Sequence, residues 1–436
     1  MRSLDCDVLV VGGGPAGSTA AALLAERGHD VLLVEKERHP RFHIGESLLP
    51  LNTALFDRLG ITPQVTAMGT YKPGAEFVAD NTGKEVQFSF ANGLDKRFTS
   101  SWQVRRADLD ALLFETAAAR GARTLQETRV VSVVPGAEGA RATVTAVDAE
   151  GEISIAPRFV LDASGRDTVV AARLGLKEAN RRNNTAAVYA HYTGAEFRTG
   201  DREGYISVHL AEDGWFWMIP LPDGVMSVGF VGNADVFQPK DGTRRGTPEA
   251  LLEARIAASP TVSKRMRGAV RVSDVGATGN YSYRCRTNMV DGCLMIGDAF
   301  AFLDPVFSSG VLLAMTSAEL AVGVTEAWLK DPAAGRAKAA AMQKTMQHAM
   351  GRIAWLVYRI NTPALRLLFM APRNAFRMRD GLVSLLAGNL RASRGSVLPV
   401  LAFKAVYYIT SALLALGIQP PVEARRPAPA EMVAAE

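Results

Sequence analysis

Trp215 and Trp217 stand two residues apart in Gly214-Trp-Phe-Trp-Met-Ile-Pro220. In a short apolar strand that spacing puts both indoles on one face and Phe216 on the other. Two of the chain's five tryptophans sit there, so the pair is either core packing or a wall. Lys72 lies in Tyr71-Lys-Pro-Gly-Ala-Glu-Phe77, where Pro73 and Gly74 suggest a constrained turn. The plain reading of such a lysine is a solvated side chain. Ser308, Ser309 and Gly310 follow Asp304-Pro305-Val306-Phe307 and precede a helical run from Val311 to Trp328. Small residues at a helix start leave backbone N–H groups open to an anion, whether or not a serine also caps the helix.

These groups need a scaffold, and its clearest part is the segment from Cys6 to Glu37, CDVLVVGGGPAGSTAAALLAERGHDVLLVEKE. An apolar strand from Asp7 to Val11 meets a glycine turn, an alanine-rich helical pattern and a second strand from Asp30 to Val34. Gly12 permits the tight turn, Gly14 lets a pyrophosphate approach the backbone, and Gly17 allows close helix-to-strand packing. Pro15 and Ala16 open the helix whose N-terminus attracts phosphate. Glu35 sits where a ribose-binding acid belongs, with Lys36 beside it. Strand, glycines, helix, strand and acid in that order form a Rossmann fingerprint for the ADP half of a dinucleotide. Two further glycine turns favour FAD over a nicotinamide. Phe159-Val-Leu-Asp162-Ala-Ser-Gly165 is a strand running into a tight turn, and Gly292-Cys-Leu-Met-Ile-Gly297-Asp298-Ala is a strand entering a helix. Asp298 can serve a ribityl hydroxyl.

The order of these turns resembles the FAD-binding fold of the aromatic hydroxylases and their relatives. That resemblance implies a cofactor contact from Arg106, in Gln103-Val-Arg-Arg-Ala-Asp-Leu-Asp110, with Arg105 as its competitor. His43-Ile-Gly-Glu46-Ser47-Leu-Leu-Pro50 leads into a helix around Asn52 to Leu59, so Ser47 reads as an N-cap and Glu46 as a solvated first-turn acid. As a motif, GESLLP resembles the flavin-covering loop of FADH2-dependent halogenases and of geranylgeranyl reductase relatives. The segment from Trp215 to Pro220 matches the WxWxIP motif of flavin-dependent halogenases at all four specified positions. In that family the indoles keep organic substrate away from the activated flavin. The resemblance also places the catalytic lysine at Lys72, where an ammonium can polarise hypohalous acid or an amine can capture its halogen. It places the halide at Ser309 and Gly310, with Pro305 and Gly310 also near the flavin. Tryptophan halogenases carry a glutamate where this chain has Phe307. That departure implies the branch acting on phenols and pyrroles, whose substrates often ride on a carrier protein, and the helical region from Trp355 to Leu416 looks like that branch's extension.

The resemblance therefore implies an α/β fold: a Rossmann-like FAD-binding domain of the aromatic-hydroxylase type, an interleaved mixed β-sheet substrate domain, and a C-terminal helical extension. The expected division is residues 1–70, 100–185 and 276–330 for FAD, 71–99 and 186–275 for the substrate-side sheet, 331–416 for the helices, and a flexible tail at 417–436. Reduced FAD from a separate flavin reductase, O2 and chloride or bromide are the expected reactants in secondary-metabolite biosynthesis. A flavin hydroxylase or reductase of the same fold, and a flavin-binding interaction protein without turnover, are the competing readings.

Composition agrees with an enzyme of this size. The 436 residues are 48% hydrophobic and 21% charged, with a net charge of +5. Interspersed charges argue against nucleic acid. Three scattered cysteines, Cys6, Cys285 and Cys293, suggest neither disulfides nor a metal site, and with no signal peptide expected the cytoplasm fits. Val397 to Leu416 is nearly long enough to span a membrane, but Pro399 and Lys404 argue for a buried or partner-facing helix, so peripheral membrane contact is not expected. Arginines from Arg359 to Arg379 alternate with apolar residues, as on a solvated helix face or a basic docking face.

Overall fold

The computed structural model describes residues 2–136, 139–180, 185–237, 246–279, 282–390 and 394–418. Most of the tail expected from residue 417 lies outside them. A central sheet runs in the order Met289–Val290, Cys293–Met295, Gly151–Asp162, Arg2–Val11, Val31–Val34, Arg123–Leu125. From Cys293–Met295 onward its neighbours pair in parallel. The four residues Val31–Val34 are all buried, as a strand covered on both faces requires. The first strand starts earlier than its apolar run because Arg2 to Val11 pairs along Ile153 to Asp162.

The helix Pro15–Ala25 packs between this sheet and the helix Gly310–Lys330. Cys293–Met295 does not enter an α-helix as expected. Gly297 takes φ +56° and its N–H is held by the Ser317 hydroxyl at 2.8 Å, so the chain makes a single 3₁₀ turn, Gly297–Ala299. The next α-helix begins at Gly310.

A second sheet runs in the order Val270–Arg271, Thr185–Thr193, Val225–Asn233, Gly214–Pro220, Ile206–Leu210, Gly74–Ala79, Glu85–Ser89. Gly276–Gly279 also pairs with Thr185–Thr193. Alternation sorts its faces. Tyr189, Trp215, Trp217, Ile206 and Val208 join the main core, while Phe216, Met218, Val228 and Phe230 pack with Leu252 and Val262 of the outer helices Pro248–Ala258 and Pro260–Arg265.

The C-terminal region is helical at Pro332–Val357, Pro363–Met370, Met378–Leu386 and Arg394–Ala415. Its arginines are solvated only in part: Arg373 and Arg377 are exposed, whereas Arg359, Arg366 and Arg379 are half-buried. Arg366 reaches the Gly214 carbonyl at 3.3 Å, Arg377 pairs with Asp380 and Arg379 with the Gln87 carbonyl. The last helix is only half buried. Val400, Phe403 and Tyr407 face the core, whereas Leu398, Leu401 and Ile409 face outward.

Candidate functional site

The three glycine turns meet at the carboxyl ends of the parallel strands. Gly12 has φ +105°, and a Cβ there would lie 2.4 Å from the Ala163 carbonyl oxygen; one on Gly17 would lie 1.8 Å from that of Gly12. Backbone passes backbone at both positions, so only glycine fits. Gly14 differs, because the nearest atom to an added Cβ is the Arg41 guanidinium at 3.8 Å. Its open face and the uncapped start of the Pro15–Ala25 helix behind it offer N–H groups to a phosphate. Glu35 is buried and accepts from the N–H of Gly13 at 2.7 Å and of Glu37 at 3.0 Å. Lys36 turns outward to Asp167 at 2.6 Å.

The two later turns have different jobs. Asp162 is fully buried, and its oxygens accept from the Ser164 N–H, the Ser164 hydroxyl and the Val170 N–H. It ties the turn that carries Gly165. Gly297 abuts Ala16, with an added Cβ 3.0 Å from the Ala16 Cβ, so Asp298 follows directly at the helix that Gly14 opens. Burial pushes the Asp298 carboxyl up to about 6, against the pull of Arg106 and Arg166. Arg106 is buried in a bidentate pair with Asp110 and donates to the Ile44 carbonyl at 3.0 Å. Arg105 points away, to Asp223 and the Pro222 carbonyl.

The loop held by Arg106 corrects two expectations. Ser47 does not cap the helix Asn52–Leu59, which starts after Leu51 without a side-chain cap. Glu46 is not solvated: it is buried, and its Oε1 lies 2.7 Å from the His191 Nε2. Both follow because Ser47 bridges to Gln103 and the Val104 N–H donates to the Glu46 carbonyl, which turns the segment inward as an edge of structure. The Glu46 Oε2 is buried and has no hydrogen-bond partner among the described residues. His191 shares a sheet face with Tyr189, and the exposed Phe42 ring lies 5.7 Å from the first and 6.3 Å from the second.

Lys72 ends the strand Thr70–Lys72, paired with Ser101–Gln103. It is 1% exposed. Its Nζ donates to the Ser47 hydroxyl and the Leu48 carbonyl, both at 2.8 Å, and lies 5.4 Å from the Phe90 ring centre. Burial alone lowers its pKa from 10.5 to about 7. The lysine opens onto a cavity of about 20 Å³ that Phe307, Ser308, Val208 and Leu386 also line, room for about one water-sized guest. Phe307 and Ser308 lead into the helix Gly310–Lys330. Asp304 caps the Pro305–Phe307 turn, Ser308 turns the chain at φ +56°, and Ser309 starts the helix without a side-chain cap. Gly310 is exposed, with nothing within 4 Å of an added Cβ. The first N–H groups of that helix have no intrahelical acceptor.

The two indoles form one wall with Tyr189. Ring centres lie 6.0 Å apart from Trp215 to Trp217 and 5.9 Å from Trp217 to Tyr189. The Trp217 indole N–H donates to the Ser227 hydroxyl at 3.1 Å. Trp217 and Tyr189 each lie over a glycine of the neighbouring strand: a Cβ on Gly229 would be 2.2 Å from the Trp217 ring, and one on Gly276 would be 2.4 Å from that of Tyr189. Gly229→Ala is therefore expected to displace Trp217, at a cost of about 1–3 kcal/mol in urea unfolding and with a shifted tryptophan emission. An unchanged emission maximum would show that the indole does not depend on that space.

Sequence reasoning passed over Tyr189, His191 and Ser227. Glycine inside the strand Val225–Asn233, opposite a tryptophan, is the signal that could have found the ring ladder. Nothing local marks the pair of Glu46 and His191, which are 145 residues apart.

A model of the FAD binding domain family matches residues 5–343. The 1H-pyrrole-2-carbonyl-[peptidyl-carrier protein] chlorinase of Pseudomonas fluorescens is 30% identical over 347 residues, covering 74% of this chain and 76% of the chlorinase. The chain spans only 60 to 63% of the length of several other curated halogenases that it matches. Among solved structures, the flavin-dependent brominase Bmp2 superposes with a TM-score of 0.76 at 26% identity, covering 94% of this chain and all of that one. A flavoprotein/dehydrogenase from Cytophaga hutchinsonii superposes at 0.80 with 28% identity, over 93% and 99% of the two chains.

Proposed function

The chain belongs to the flavin-dependent halogenases, and from that premise we propose that it uses reduced FAD, O2 and chloride or bromide to halogenate an electron-rich aromatic ring, a phenol or a pyrrole. The observation that carries this proposal is the buried Lys72, which lines the same cavity as Phe307 and Ser308 at the approach to the helix Gly310–Lys330. The residues fit FAD. Gly12, Gly14, Pro15, Ala16 and Gly17 would hold its pyrophosphate, Glu35 and Lys36 its adenosine end, and Asp298, Arg106, Glu46, Ser47, Pro305 and Gly310 the flavin end, with Asp162 and Gly165 shaping the turn between. When bound and reduced, FAD supplies two electrons and two protons that, with O2 and one further proton, convert halide to hypohalous acid and water.

Ser309 and Gly310 offer the halide a seat without a charged side chain. Trp215 and Trp217 wall the ring substrate away from the flavin, so oxygen is not transferred to it directly. Lys72 then takes the halogen. As a free amine it has two N–H groups for Ser47 and Leu48 and a lone pair for the cavity. It displaces hydroxide from the halogen, water leaves with one amine proton, and the ring attacks the N–halogen bond and returns its own proton to the nitrogen. With no carboxylate at position 307, the ring must itself be electron-rich.

In this proposal residues 1–70, 100–185 and 276–330 serve FAD, 71–99 and 186–275 wall the substrate, and 331–416 close the far side. A separate cytoplasmic reductase supplies the reduced flavin. The ring arrives free or tethered to an acyl or peptidyl carrier, as the chlorinase's name states for that protein. The test is mass spectrometry of a phenol and pyrrole panel, free and carrier-loaded, after incubation with reduced FAD, O2 and either halide. A halogen isotope pattern is expected; oxygenated or reduced product made without halide would instead favour a hydroxylase or reductase, the reading to which the likeness to the Cytophaga flavoprotein/dehydrogenase lends weight.

The amine also fixes a pH dependence. With the Lys72 pKa near 7, product formed per reduced flavin oxidised is expected to rise as pH increases through about 7 and then level off. A fall over the same window would assign the active form to the ammonium.

A further inference from the structure

We propose that the outer face of the C-terminal helix lies in the plane of an anionic lipid surface. Within Arg394–Ala415 and the turn after it, Val397, Leu398, Leu401, Tyr408, Ile409 and Leu416 are 41 to 74% exposed. At 100° per residue they fall in an arc of about 120° that also holds Ala405 and Ala412 and no charged side chain from 397 to 416. The opposite face, Val400, Phe403 and Tyr407, is buried against the protein, so this helix cannot cross a bilayer without leaving its own core. Such geometry suits a helix that lies on a membrane rather than spanning it.

The surroundings say which kind of surface. Lys404 flanks the stripe with its Nζ 5.1 Å from the Trp355 ring centre, and the Arg359 guanidinium lies 4.9 Å from the same ring. The Trp355 indole donates to the Tyr408 hydroxyl at 3.2 Å. Aromatic rings with polar tips and long cationic side chains at the rim of an apolar face are the groups that settle at a headgroup boundary. The charge is lopsided as well. From residue 332 to 422 there are twelve Lys and Arg and a single acid, Asp380, although the whole chain carries only +5. A cationic region bearing an uncharged apolar stripe complements anionic lipid; an acidic soluble protein would match the charge and leave the stripe uncovered.

The test is co-sedimentation of the full chain with phosphatidylcholine vesicles, with and without phosphatidylglycerol, beside light scattering of the lipid-free protein. Binding is expected with the anionic vesicles, weaker in high salt and on the neutral ones. Leu401→Glu with Ile409→Glu should reduce it at least about tenfold, and Lys404→Gln about fivefold. Because these positions are exposed or partly exposed, unchanged thermal midpoints would show that the variants fold. Failure to sediment with either vesicle overturns the proposal. A lipid-independent dimer that the two glutamates dissociate would assign the face to a second copy. Binding that appears only after removal of residues 419–436 would assign it to the tail, and binding of an acidic carrier protein without vesicle binding would assign it to that partner.

Discussion

Lys72→Ala is expected to lower halogenated product by about 100-fold or more while reduced FAD is still oxidised by O2 at the wild-type rate. The split follows from position. Lys72 reaches the flavin-end loop at Ser47 and Leu48, but the glycine turns that would hold FAD belong to other elements. Measuring product by mass spectrometry and flavin oxidation by absorbance in the same reaction separates the two steps; retained product would reduce Lys72 to a buried structural cation. A second variant guards against misfolding. The folded pKa of about 7 lies below the ordinary 10.5, so between those values the unfolded chain holds more protons and stability rises with pH. The cost of burying this cation is therefore greatest below about pH 7. Lys72→Met removes it, and the variant's melting temperature should gain most over wild type near pH 6 and least near pH 10, with product still lost. A pH-independent difference would show that the ammonium is not the source of the cost.

Gly14→Ala and Gly17→Ala, one turn apart, are expected to fail in different ways. A methyl on Gly14 meets only the tip of Arg41 at 3.8 Å, so the flavin-free protein should keep its melting temperature while FAD binding weakens about 10- to 100-fold, ~1.4–2.8 kcal/mol. A methyl on Gly17 would meet the Gly12 carbonyl at 1.8 Å, a clash between backbones that no rotamer relieves. That variant should lose folded protein whether or not FAD is added. Calorimetry without FAD and fluorescence titration with it read the two outcomes. Equal FAD affinity in Gly14→Ala would mean that the phosphates do not pass this face.

The strands and glycine turns were legible because each depends on neighbours in sequence. Val31 to Val34 announces a buried strand by its own composition, and Gly12, Gly14 and Gly17 announce a turn by their spacing. Lys72 was legible only through its motif. Its burial depends on Ser47, Leu48, Phe90, Phe307 and Leu386, which no local pattern unites, and its residue type alone favours solvent. Glu46 misled for the same reason, since its partner His191 comes from another sheet. The final helix was half legible: its apolar composition was plain, but which of its apolar residues meet the core depends on where Pro399 lands against Gly381 and Phe403 against Trp355.

The rings of Tyr189 and Trp217 each rest on a strand partner that has no side chain. Such a wall cannot drift one position at a time. A descendant with a smaller residue at 217 is released to carry a side chain at 229, and one that fills 229 first loses the wall, so substitutions at 189, 217, 229 and 276 should be inherited together. Aligned relatives that vary at any of these four positions would record the route by which the partition was rebuilt.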